Sequence, residues 1–67
     1  MEVAKTLAEA RRRAGLTQSQ LARRAGTSQA TVSAYESGRK VPSIETFARL
    51  LAATGSQLSC SVMYPTN

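Results

Sequence analysis

The chain has 67 residues, room for one domain, and a domain of this size buries only roughly 60% of the surface its unfolded form exposes, so its core is thin. A single cysteine, Cys60, and no histidine exclude a disulfide framework and a Cys/His zinc cluster, leaving oligomerisation as the remaining reinforcement. Nine Lys+Arg against four Asp+Glu give a formal charge of +5, which favours polyanionic partners, nucleic acid first among them.

The charge is uneven: every charged side chain falls between Glu2 and Arg49, and residues 50 to 67 carry none. No basic run followed by an apolar stretch opens the chain, and no apolar run approaches the ~18 residues of a membrane span. These features predict a cytoplasmic protein, with Cys60 reduced and packed as a small apolar group.

In VAKTLAEARRRAG, Val3, Leu7, Ala10 and Ala14 recur at three- and four-residue steps, which predicts a first helix with one apolar face, stopped by Gly15. TQSQLARRAG places Gln20 three residues after Thr17, a capping-box spacing. Leu21, Ala22 and Ala25 then form a short seam, so a second helix of about two turns should end at Gly26. Thr27 and Ser28 can cap a third helix over roughly 29 to 36 that turns Val32 and Tyr35 inward and stops at Gly38.

RKVPS reads as a loop, because proline disfavours helix at the preceding Val41, and Ser43 can cap the next helix. Ile44, Phe47, Ala48 and Leu51 match i, i+3, i+4, i+7 and predict that fourth helix, ending near Gly55. Beyond it, QLSCSVMY alternates Leu58, Cys60, Val62 and Tyr64 with Gln57, Ser59, Ser61 and Met63, the period of a half-buried strand. The expected organisation is a helical domain over residues 1–55 and a strand or tail over 56–67.

Two short helices meeting through Gly26, with small Ala22 at their crossing, make a helix-turn-helix pattern over residues 18 to 37. Together with Leu16, Thr17, Gln18, Leu21, Val32, Glu36, Gly38, Pro42 and Leu51, this pattern resembles the Cro/C1-type (XRE-like) helix-turn-helix family of phage repressors, restriction controllers and antitoxins. The resemblance covers residues 3 to 55 and implies a compact, mainly α four-helix, lambda-repressor-like bundle whose third helix enters the DNA major groove. It further implies a prokaryotic or phage protein, nucleoid-associated when bound.

Outward residues of the third helix are read as Gln29, Ala30, Ser33 and Ala34, with Thr31 near the edge. Gln29 has the donor and acceptor needed for a bidentate bond to adenine N6 and N7, and Ala30, Ala34 and the Thr31 methyl suit thymine methyl groups. Free amides and the dipole at helix N-termini favour phosphate near Thr17, Gln18 and Ser28, while Ser37, Arg39 and Lys40 come after the third helix and can grip further phosphates. In the family, the residue matching Gln18 commonly bonds a phosphate and can brace the first residue of the recognition helix, here Gln29. The resemblance also implies an ion pair between Arg11 and Glu36 that ties the first helix to the end of the third. Arg12 and Arg13 are read as solvated charge, since adjacent helical residues point about 100° apart.

An uncharged strand ending so small a chain is an edge that needs a cover. One reading pairs Leu58 to Tyr64 with the same strand of a second copy, making Leu50, Leu58, Cys60, Val62 and Tyr64 dimer contacts. The alternatives are a strand folded onto helix four or a disordered tail. A two-fold dimer would present two recognition helices about 34 Å apart and require a roughly palindromic duplex operator.

The function expected is a sequence-specific DNA-binding transcriptional regulator acting as a repressor, with a second role open to it as the antitoxin of a pair whose partner is a toxin protein. The alternative is an adaptor that binds a polypeptide. With no histidine, one cysteine and four scattered acids, no catalytic pair or metal site can be assembled, and no cofactor is expected.

Overall fold

In the computed structural model, which describes residues 3–55, four helices succeed one another: α1 (Val3–Arg13), α2 (Gln18–Ala25), α3 (Gln29–Ser37) and α4 (Ile44–Ala53). Each N-terminus after the first is fixed by the side chain that the local pattern predicts. Thr17 Oγ1 accepts from the Gln20 amide at 3.0 Å while Gln20 Oε1 accepts from the Thr17 amide at 2.8 Å, closing a reciprocal capping box. Ser28 Oγ accepts from the Thr31 amide and Ser43 Oγ from the Thr46 amide, both at 3.1 Å.

The turns close in the left-handed region. Gly26 has φ +76° and its amide reaches back to Ala22 and Arg23, so α2 stops after eight residues and α3 can start at once. A Cβ at Gly26 would meet nothing within 4 Å, so the requirement is the backbone conformation rather than space. α1 and α2 each pack against α3 and against α4. Leu7, Leu16, Leu21, Ala22, Ala25, Val32, Leu50 and Leu51 form the core, with Ala10, Tyr35, Phe47 and Ala53 packed around it. Small Ala22 and Ala25 on the inner face of α2 let neighbouring backbones approach closely.

Two sequence-based expectations for packing are corrected. Ala14, read as the last member of the α1 seam, is exposed, because α1 ends at Arg13 and the chain turns through Ala14 and Gly15. On α4 the apolar stripe is displaced: Ile44 is 85% exposed, whereas Leu50 is fully buried and Leu51 nearly so. Phe47, Leu50, Leu51 and Thr54 repeat the same i, i+3, i+4, i+7 spacing three residues later, and this set lies on the covered side of α4.

Burial of Leu50 inside a single chain also corrects its assignment as a dimer contact, since its side chain has no surface left to offer a second copy. The strand expected beyond Gly55, with Leu58, Cys60, Val62 and Tyr64, lies outside the described residues; among the described residues there is no strand.

The displaced stripe separates two substitutions of similar chemistry. Leu50→Ala should cost roughly 2–5 kcal/mol in urea unfolding monitored by circular dichroism, whereas Ile44→Ala should stay within about 0.5 kcal/mol of the parent. Comparable losses from both would contradict this packing.

Candidate nucleic-acid interface

The helix-turn-helix unit is built from α2, the turn at Gly26 and α3, and its outer surface is set by where α3 is pinned. Val32 is fully buried and Tyr35 packs on the core, which directs the opposite side of α3 outward. Gln29 and Ala30 are exposed, and Thr31 and Ser33 are half-buried at the edges.

Ala34, expected on the outer face, is only 8% exposed and belongs to the covered side. The chain leaving α3 folds back there: the Ala34 carbonyl accepts from the amides of Arg39 at 3.0 Å and Lys40 at 3.2 Å and from Ser37 Oγ at 3.1 Å. Helical periodicity alone cannot anticipate a cover supplied by the adjoining loop.

A chain of polar contacts runs from this surface into the bundle. Gln29 Nε2 donates to Gln18 Oε1 at 2.8 Å, and Gln18 Nε2 donates to Glu36 Oε1 at 3.0 Å. Glu36 also receives Arg11 Nε on Oε2 at 2.7 Å and Arg11 Nη2 on Oε1 at 3.0 Å, a bidentate pair in which the side chains are 15% and 8% exposed. Arg11 Nη1 donates to the Leu16 carbonyl at 2.9 Å, so one guanidinium joins the end of α1, the turn into α2 and the end of α3. Family resemblance implied the Arg11–Glu36 and Gln18–Gln29 contacts; it did not extend to the Gln18–Glu36 bond, which spans eighteen residues, or to the Arg11–Leu16 bond, which ends on a backbone carbonyl that no side-chain pattern marks.

Burial pushes the Glu36 carboxyl up, but hydrogen bonds from Arg11 and Gln18 and the charges of Arg11 and Arg12 outweigh it and hold the group below its ordinary range. Arg11 moves the opposite way, raised chiefly by its bond to Glu36. The interior end of the relay is therefore a fixed carboxylate.

Around the exposed face, Thr17, Ser28, Ser37, Arg39 and Lys40 are all exposed and Gln18 is half-buried. Neither α2 nor α3 carries an acid in its first turn, so the positive ends of both helices are left uncompensated. Ser28 Oγ lies 2.9 Å from Thr31 Oγ1, which ties the Thr31 hydroxyl to the cap and leaves its methyl as the apolar part. Arg39 Nε donates to Ser37 Oγ at 3.0 Å, holding the guanidinium close to the end of α3. Among the described residues no group of three or more His, Cys, Asp or Glu could hold a metal ion, and no helix is long and apolar enough to cross a membrane.

Removing Arg11 leaves a carboxylate in a covered position with two hydrogen bonds and its counter-charge lost. Arg11→Met should cost about 3 kcal/mol in equilibrium unfolding at neutral pH. Because the folded-state pKa of Glu36 is depressed, its contribution to stability is complete above the unfolded value of about 4.3 and is lost as pH falls through the lower folded value. Acid unfolding of Arg11→Met should accordingly show a weaker loss over that interval than the parent; an identical pH profile would contradict the pairing.

Among known protein families, the helix-turn-helix model aligns with residues 7–59 of this chain. No curated protein and no solved structure matches. The aligned stretch spans the core of all four helices, the α2–turn–α3 unit and the loop that covers Ala34. With that coverage and this geometry, the chain belongs to the XRE-type helix-turn-helix family of DNA-binding regulators.

Proposed function

We propose that the protein is a sequence-specific double-stranded DNA-binding repressor that reads the major groove with α3 and acts as a homodimer. The observation that carries this reading is the exposed Gln29, held at the first position of α3 by Gln18 with its own Oε1 still available. An amide in that state offers the acceptor for adenine N6 and a second N–H for N7. Exposed Ala30 lets the helix approach base edges, with Thr31 and Ser33 at its margins.

Backbone affinity comes from the surrounding donors: the N-termini of α2 and α3 with Thr17, Gln18 and Ser28, then Ser37, Arg39 and Lys40 beyond α3. The net charge of +5 supplies long-range attraction. Dimerisation is assigned to residues beyond Gly55, through pairing of the alternating segment Leu58–Tyr64, and a two-fold dimer favours a palindromic operator.

A second reading, an adaptor or antitoxin whose main partner is a polypeptide, draws on a different feature. Val41 is 78% exposed and Ile44 85% exposed, and Val41 borders a cleft of about 270 Å³ with Val3, Ala4, Tyr35, Gly38 and Lys40. Exposed apolar side chains beside a concavity are the kind of anchor that a protein partner uses.

Selection from a randomised duplex pool separates the readings: the DNA reading expects an enriched, roughly palindromic site. Gln29→Ala should relax one base pair of that site by about 1–3 kcal/mol. Arg39→Ala should weaken all sequences alike and reduce the salt slope by about one. Equal binding to every duplex would exclude sequence-specific readout, and a monomer by light scattering at micromolar concentration would exclude the dimer.

A further inference from the structure

We propose that residues 57–64 of this chain fold back along the outside of α4, seating their alternate apolar side chains on the line Ile44, Ala48, Ala52 and placing Tyr64 in the cleft beside Val41. Pairing with a second copy engages the edge of that segment, whereas this inference concerns its face. It stands apart from both the DNA reading and the dimer.

Val41 and Ile44 are the two large apolar side chains left exposed among the described residues. Ile44 begins a line along α4 that continues through half-buried Ala48 and exposed Ala52, since residues four apart share a helix face. Charged Glu45 and Arg49 each stand about 100° round the helix from the residue before, so the line itself is uncharged. Three residues before Ile44, Val41 borders the cleft of about 270 Å³, which Val3 and Tyr35 also line. An apolar surface running into a concavity is a seat for something equally apolar.

The chain itself supplies the occupant. At the end of α4 the backbone turns through Gly55, with φ +88° and its amide donating to the Ala52 carbonyl at 3.0 Å. Two residues later begins a segment without charge in which Leu58, Cys60, Val62 and Tyr64 alternate with Gln57, Ser59, Ser61 and Met63. From Gly55 to Tyr64 an extended chain reaches up to about 30 Å, twice the ~15 Å length of α4.

The two repeats also match. Alternate residues of a strand are about 6.7 Å apart, and helical residues four apart are about 6 Å apart. Leu58 beside Ala52 therefore brings Cys60 beside Ala48 and Val62 beside Ile44, and carries Tyr64 past the start of α4 to Val41. A link as short as Ser56 and Gln57 gives this segment a local concentration that a separate molecule does not match.

Docking of a segment onto a folded bundle is a local equilibrium, so it is read at Cys60, the single cysteine, rather than in the melting of the helices. Ile44→Ala keeps the seat apolar and shifts that equilibrium little. The decisive variant is Ile44→Asp, in the full chain. An acid at the first position of α4 is favoured by the helix dipole, so helicity by circular dichroism should be unchanged.

The measured quantity is the rate at which the Cys60 thiolate attacks dithiobis(nitrobenzoate) and releases thionitrobenzoate. Ile44→Asp should raise it about fivefold, and by the same factor at every protein concentration. A nearby negative charge by itself disfavours the thiolate and slows the reaction, so acceleration reports uncovering. The register is tested by Ala48→Cys with glutathione disulfide as oxidant: the two thiols lose two protons and two electrons, and the oxidant leaves as two glutathiones. The bond from Ala48→Cys to Cys60 should form within one chain, about fivefold faster than from Ser19→Cys on the exposed surface of α2.

Concentration-independent acceleration with a bond inside one chain supports the seat. Equal rates in the parent and Ile44→Asp overturn it and leave the DNA reading and the dimer standing. Acceleration confined to high protein concentration, or a bond from Ala48→Cys that joins two chains, overturns the same-chain occupant in favour of a second copy's segment. Bond formation no faster than from Ser19→Cys overturns the register along α4.

Discussion

The bidentate contact between Arg11 and Glu36 is the constraint on which the arrangement of the exposed α2–α3 face depends. A core of this size has few large side chains with which to fix the angles between helices, and apolar packing has no directional preference of its own. The ion pair supplies direction: planar guanidinium and planar carboxylate meet in register, and the same guanidinium holds the Leu16 carbonyl. Desolvation of the two charges offsets part of their attraction, and the contact joins the end of α1 to the end of α3.

The local chemistry of the short helices builds on that anchor. α2 and α3 are eight and nine residues long, well below the length at which an isolated helix persists in water. They exist because side-chain caps satisfy the first amides, glycines in the left-handed region satisfy the last carbonyls, and the bundle buries one face of each. Small residues at Ala22 and Ala25 bring the backbones close enough for side chains as short as glutamine to bridge from α2 to α3.

The sequence was most legible where the relevant interaction is local. Thr17, Ser28 and Ser43 act three residues ahead along the chain; Thr17 and Ser43 could be read as caps from the local sequence, whereas at α3 both Thr27 and Ser28 were open and the structure uses Ser28. The phase of α4 was less legible, because two stripes with the same spacing overlap at Phe47 and Leu51, and which one is buried is decided by the neighbouring helices. Periodicity placed Ala34 outward, but the Arg39 and Lys40 amides return to its carbonyl and the adjoining loop covers it. The bond between Gln18 and Glu36 had no signature at all, being a contact between an amide and an acid that only the folded chain brings together.

The four largest fully buried side chains are Leu7, Leu21, Val32 and Leu50, one from each helix. A nascent chain that has exposed α1, α2 and α3 already possesses the complete sequence of the helix-turn-helix unit but still lacks one of the four members around which that unit is braced. Full bracing of that unit therefore has to await emergence of α4 from the ribosome, because Leu50 and the packing of α4 against α1 and α2 arrive last.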